Sequence, residues 1–191
     1  MNPLRTLTML LLFTSLALAG CTISKEATES PLEKVHALLQ QGEQVGYPET
    51  SHYLLQLDPQ TRSALATKML RDEKPLVVYL GGAILVRQKR YDEAAPVMAS
   101  LIIGGRDERN LQNHMEDDWR HDVDPAIWPN MVSRVGRILI VNLDADSPEV
   151  RNRAEQFLIN MLHLEVNKPF NREDAVSAVL KLSRELKQGK S

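Results

Sequence analysis

The chain is poor in the residues from which most active sites and nucleic-acid interfaces are built. It holds one cysteine, Cys21, among 191 residues. A single thiol makes no internal disulfide and no cysteine-rich zinc site. Aromatic residues are 5%, too few for a broad surface that stacks bases or sugars. Positive charge is not in excess: 23 Lys and Arg face 25 Asp and Glu, a net −2. A nucleic-acid binder needs a basic stripe to neutralise phosphates, so nucleic acid is not an expected partner. There is no Gly-x-Ser-x-Gly elbow, and Ser63, Ser100, Ser133 and Ser177 fall inside helical patterns. Gly81-Gly82 and Gly104-Gly105 lack the strand–loop–helix context of a phosphate loop. Neither Asn-Gly nor Asp-Gly occurs, so the commonest hairpin turn is missing. These absences lead us to expect a protein that is not an enzyme and uses no cofactor.

What remains is ordinary globular material, with 43% hydrophobic and 25% charged residues. It follows an unusual N-terminus. Residues 1–6 carry Arg5 and no acid, and residues 7–19 (LTMLLLFTSLALA) are apolar. That run is short of the ~20 residues a membrane span needs, and it ends in small residues, as an export signal does. Leu18-Ala19-Gly20-Cys21 resembles the bacterial lipobox. The resemblance implies that residues 1–20 are a cleaved signal. It also implies that Cys21 receives a diacylglyceryl group and that its new amino terminus is acylated. Thr22 stands where an Asp would favour inner-membrane retention, which implies the outer membrane, facing the periplasm. The alternative is an ordinary secretory signal ending in Gly-Cys. Residues 21–31 (CTISKEATESP) read as a lipidated polar tether, and 32–191 as one domain.

Beyond residue 31 the dominant period is helical. Leu32, Val35, Leu38 and Leu39 share one face, and Pro48 is expected to break the chain again before a short segment at His52–Leu57. Asp58-Pro59, Asp124-Pro125 and Ser147-Pro148 are helix starts, and Asn171–Asp174 resembles a capping box. Residues 76–88 are apolar nearly all round, which fits a buried helix, with a pair of buried strands as the alternative. The expected fold is all-α. It has seven or eight helices in antiparallel pairs, as a helical repeat of the tetratricopeptide or HEAT kind or as an irregular bundle.

Within it, Gly82, Leu85, Tyr91, Ala94 and Met98, around the turn Gln88–Ala95, resemble a tetratricopeptide-type hairpin over residues 75–104. Val78 and Arg106 depart from that pattern, and a generic helical hairpin is the alternative. The resemblance implies a concave surface that binds protein segments.

The strongest charge asymmetry is residues 107–124, where seven acids face Arg109 and Arg120. Trp119 and Trp128 lie in or just beyond it. With Glu116, Asp117, Asp118 and Asp122 they form a candidate docking patch for a basic partner, since tryptophan is enriched at binding hot spots. The alternative places both tryptophans in the core. His114, Asp118 and His121 fall at i, i+4 and i+7 of one helix, a weak candidate for a divalent metal. The zinc-protease spacing is absent. The expected role is binding an envelope protein as an assembly, tethering or accessory factor. A periplasmic immunity or inhibitor lipoprotein is the alternative.

Overall fold

Helix succeeds helix along the chain, and each beginning has a local cause. A computed structural model describes residues 29–105, 108–164 and 169–188. The expected signal, the lipobox and Cys21 lie outside the described residues, as does most of the tether. So do Asp107 and the segment 165–168. Among the described residues there are nine α-helices and no strand. They are α1 Pro31–Leu39, α2 Glu43–Gln56, α3 Pro59–Met69, α4 Pro75–Arg87, α5 Tyr91–Gly104, α6 Glu108–Arg120, α7 Ile127–Asn142, α8 Pro148–Leu162 and α9 Arg172–Lys187.

Prolines open α1, α3, α4 and α8 at the first turn, where a missing N–H costs nothing. Asp58 caps α3 by accepting from the backbone N of Gln60 and of Thr61, each at 3.0 Å. Asn171 caps α9 through the Glu173 N at 2.9 Å. Gly105 closes α5 in the left-handed region, φ 65°, which a glycine takes without strain.

The expected break at Pro48 does not occur. Pro48 lies inside α2, so a full helix replaces the short segment expected at His52–Leu57. This accounts for nine helices rather than seven or eight. Packing outweighs the proline. Gly46 presses on the backbone of α1, where an added Cβ would lie 2.4 Å from the Leu38 carbonyl oxygen. Thr50 and Leu54 are buried one and two turns later.

The helices pack largely in sequence order: α1 on α2 and α3, α3 on α4, α4 on α5. Helix α5 then lies on α7 and α8, and α7 gathers α6, α8 and α9. The described helices from Pro31 onward belong to one compact unit. The apolar segment 76–88 is the buried helix α4, not strands, with Val77, Tyr79, Leu80, Gly81, Gly82, Ile84, Leu85 and Val86 all buried. Its glycines admit both neighbours: Gly81 faces Met69 and Ala66 of α3, and Gly82 faces Met98 of α5. Tyr91 and Ala94 are buried at the start of α5. On α7 and α9, Ser133 and Ser183 meet with their hydroxyls 2.6 Å apart, both buried. No helix among the described residues is long and apolar enough to cross a membrane.

Candidate functional site

Tyr79 is the one polar side chain of the central apolar stretch of α4, and it is fully buried. A buried phenol needs a partner for its O–H, and it finds one on another helix: it donates to Oδ2 of Asp118 on α6. Tyr47 of α2 donates to the same oxygen at 3.1 Å. One carboxyl oxygen therefore ties together three helices that are remote in sequence.

His114, one turn before Asp118, stacks on the Tyr47 ring with centroids 4.6 Å apart and planes 14° from parallel. Burial, helped by the Asp118 charge, pushes the Tyr47 phenol up to about 12. Burial and the neighbouring Tyr47 and Asp118 raise Tyr79 well above the usual phenol range. Both phenols thus keep their protons at neutral pH and act as fixed donors.

A pocket of about 100 Å³ opens beside this cluster. Tyr47 and Asp118 form its polar edge, and Leu54, Leu80, Ala83 and Ile84 its apolar wall. Two arginines border it. Arg62 donates from Nη2 to the carbonyls of Leu55 and Leu57, each at 2.6 Å, closing the C-terminus of α2. Arg87 leans toward Asp122, 3.6 Å away. The pocket has room for one aliphatic or aromatic side chain, with an acceptor and two arginines at its rim.

The residues singled out in the sequence divide between core, rim and solvent. Trp119 is only 2% exposed and meets Phe157 edge-on at 6.3 Å, so it is a core residue and does not face a partner. The helical stripe Leu111, Met115 and Trp119, at four-residue steps, is what seats α6. Trp128 is half-buried under the Arg120 guanidinium, 4.9 Å from its ring. Three of the acids pair with basic side chains of the same chain: Glu116 with Arg120 at 3.5 Å, Asp122 with Arg87, and Asp124 with Lys89 at 3.0 Å. Asp117 is exposed.

The trio His114, Asp118 and His121 is not brought together as a metal site. Helix α6 ends at Arg120, one residue before His121, and Asp118 is turned to the two phenols. Among the described residues no group of three or more His, Cys, Asp or Glu is placed to hold a metal ion.

Sequence reasoning missed Tyr47 and Tyr79. The available signal was Tyr79 itself, a hydroxyl in the middle of LVVYLGGAILV. No protein-family model, curated protein or solved structure matches the chain.

Proposed function

We propose that the protein is an outer-membrane-anchored periplasmic lipoprotein whose helical unit holds another protein, as an assembly, tethering or accessory factor of an envelope complex. The observation that carries this reading is in the sequence: the apolar run 7–19 ends in the lipobox-like Leu18-Ala19-Gly20-Cys21. Two or more acyl chains make attachment stable, since each buried methylene contributes ~0.8 kcal/mol. An anchored domain meets its partner at high local concentration, so a modest surface suffices.

The pocket beside Asp118 supports the binding half of the reading. It is small, mostly apolar and bordered by fixed polar groups, which suits one inserted side chain of a partner rather than a free metabolite.

Two measurements test the proposal. Growth with an alkyne-tagged fatty acid labels the native protein, and Cys21→Ala abolishes both the label and sedimentation with outer membranes. A wild-type protein that takes no label sinks the anchoring claim. Affinity capture through a C-terminal tag, after cross-linking in cells, recovers one envelope protein in stoichiometric amount. Ala83→Arg, which fills the pocket, removes it. Equal recovery with Ala83→Arg rejects the pocket as the docking point.

A further inference from the structure

A second concavity, of about 380 Å³, lies on a different part of the surface, between α7 and α9, and it is basic. Arg134, Arg137 and Lys187 line it, and Asp92 is the one carboxylate among the lining residues. The lining is net positive on a chain whose net charge is −2.

Its geometry is fixed from below. The Ser133 and Ser183 hydroxyls meet at its floor, 2.6 Å apart. Ser183 gives its proton to the Val179 carbonyl at 2.9 Å, so Ser133 donates to Ser183. This contact, with Val179 lying over Gly136, makes the two helices antiparallel. Lys187 therefore lies on one side of Arg134, and Arg137 on the other. Arg134 and Arg137 are three residues apart on one helix, ~4.5 Å along its axis, so a single small anion spans both.

Arg134 is held in place on three sides. Its Nε donates to Asp92 Oδ1 at 2.6 Å and its Nη1 to Asn130 Oδ1 at 2.8 Å. Its face covers the Tyr91 ring at 5.4 Å. Those contacts leave its Nη2 edge with no bond among the described residues. Arg137 and Lys187 are exposed and form no ion pair among the described residues. Like charges crowded on a concave wall repel one another. Here one carboxylate faces three cations, and it is already engaged by one of them.

We propose that the groove between α7 and α9 binds a phosphate-bearing anion, clamped by Arg134, Arg137 and Lys187. A phosphate presents several oxygens and close to two negative charges, which matches a held guanidinium edge plus two free cations. A single carboxylate would satisfy only one of them. The phosphate belongs either to a soluble ester or to a lipid headgroup, and the assignment does not depend on the protein-binding reading above.

Calorimetry on the full-length protein in a non-ionic detergent tests this. The probes are inorganic phosphate, pyrophosphate, short-chain phosphatidylglycerol and, as a neutral headgroup, phosphatidylcholine. Binding is expected to weaken at least about tenfold in Arg137→Glu/Lys187→Glu, a loss equivalent to ~1.4 kcal/mol. It should also weaken with added salt. Both positions are exposed and form no ion pair among the described residues, so the circular dichroism melt should not move, and the milder Arg137→Gln should give an intermediate loss. Saturable binding of phosphate or pyrophosphate that the double variant weakens supports a soluble ligand. Binding of phosphatidylglycerol alone, with the same dependence, supports a headgroup. No binding of any probe, or binding that the double variant leaves unchanged, overturns the proposal.

Discussion

Gly81 and Gly82 are neighbours in sequence with different obligations. A Cβ at Gly81 would come within 3.1 Å of the Ala66 backbone oxygen and 2.9 Å of Met69 Cβ, neither of which can move freely. At Gly82 it would meet the Met98 terminal methyl at 2.7 Å, and a methionine end swings aside. Gly81→Ala should therefore lower stability by about 1–3 kcal/mol. Gly82→Ala should be close to neutral, because better helix propensity offsets a repacked methionine. Paired chemical denaturation curves check this, and equal losses would contradict the packing described. The need for a close approach at Gly81-Gly82 was legible in the sequence, because glycine inside an apolar helix has few other uses. Asp118 was legible as part of an acidic run and as a candidate metal ligand, but not as the acceptor of two phenols. Its partners Tyr47 and Tyr79 are 71 and 39 residues away, and no local period reports such a contact. Tyr79→Phe leaves the buried end of this network without its donor and should cost about 1–3 kcal/mol.

At the scale of elements, start signals proved more legible than stop signals. Asn171 was readable as a cap, and its side chain takes the Glu173 N–H. Asn171→Ala should cost about 1 kcal/mol, visible as a lower melting temperature. Pro48 was misleading because propensity is local, whereas α2 is held by Gly46, Thr50 and Leu54 against the rest of the fold. Helix α6 lies within the strongest charge asymmetry of the sequence. Its polar side chains dominate the composition, yet three apolar residues at four-residue steps seat it. Met115 is fully buried, so Met115→Ala should cost about 2–5 kcal/mol and, in amide exchange, should free the α6 amides first. Uniform loss of protection along the whole unit would count against α6 as a separately seated element.

At the scale of the whole molecule, the all-α class followed from periodicity, while the order of packing did not. That α7 would gather α9 as well as its chain neighbours depends on contacts between distant segments, such as Ser133 with Ser183. The tyrosine cluster also sets an alkaline limit on the fold. The native Tyr47 pKa, about 12, lies above its ordinary value of 10.0, so the folded chain holds this proton more tightly than the unfolded chain. The stability this confers is complete below pH 10 and is lost as pH rises through about 12. Phenolate absorbance should thus show a delayed titration coincident with unfolding, and Tyr47→Phe should flatten stability over that window. An unshifted phenol titration in the folded protein would refute it. The Ser133–Ser183 pair has a further consequence, for uniqueness rather than strength. Apolar helix faces tolerate sliding by a turn, since one methyl group replaces another. A buried hydroxyl slid by a turn would face methyl groups and lose its partner. The pair therefore fixes the register of α9 on α7, and a double alanine variant should keep most of the stability while admitting a second, shifted seating of the last helix.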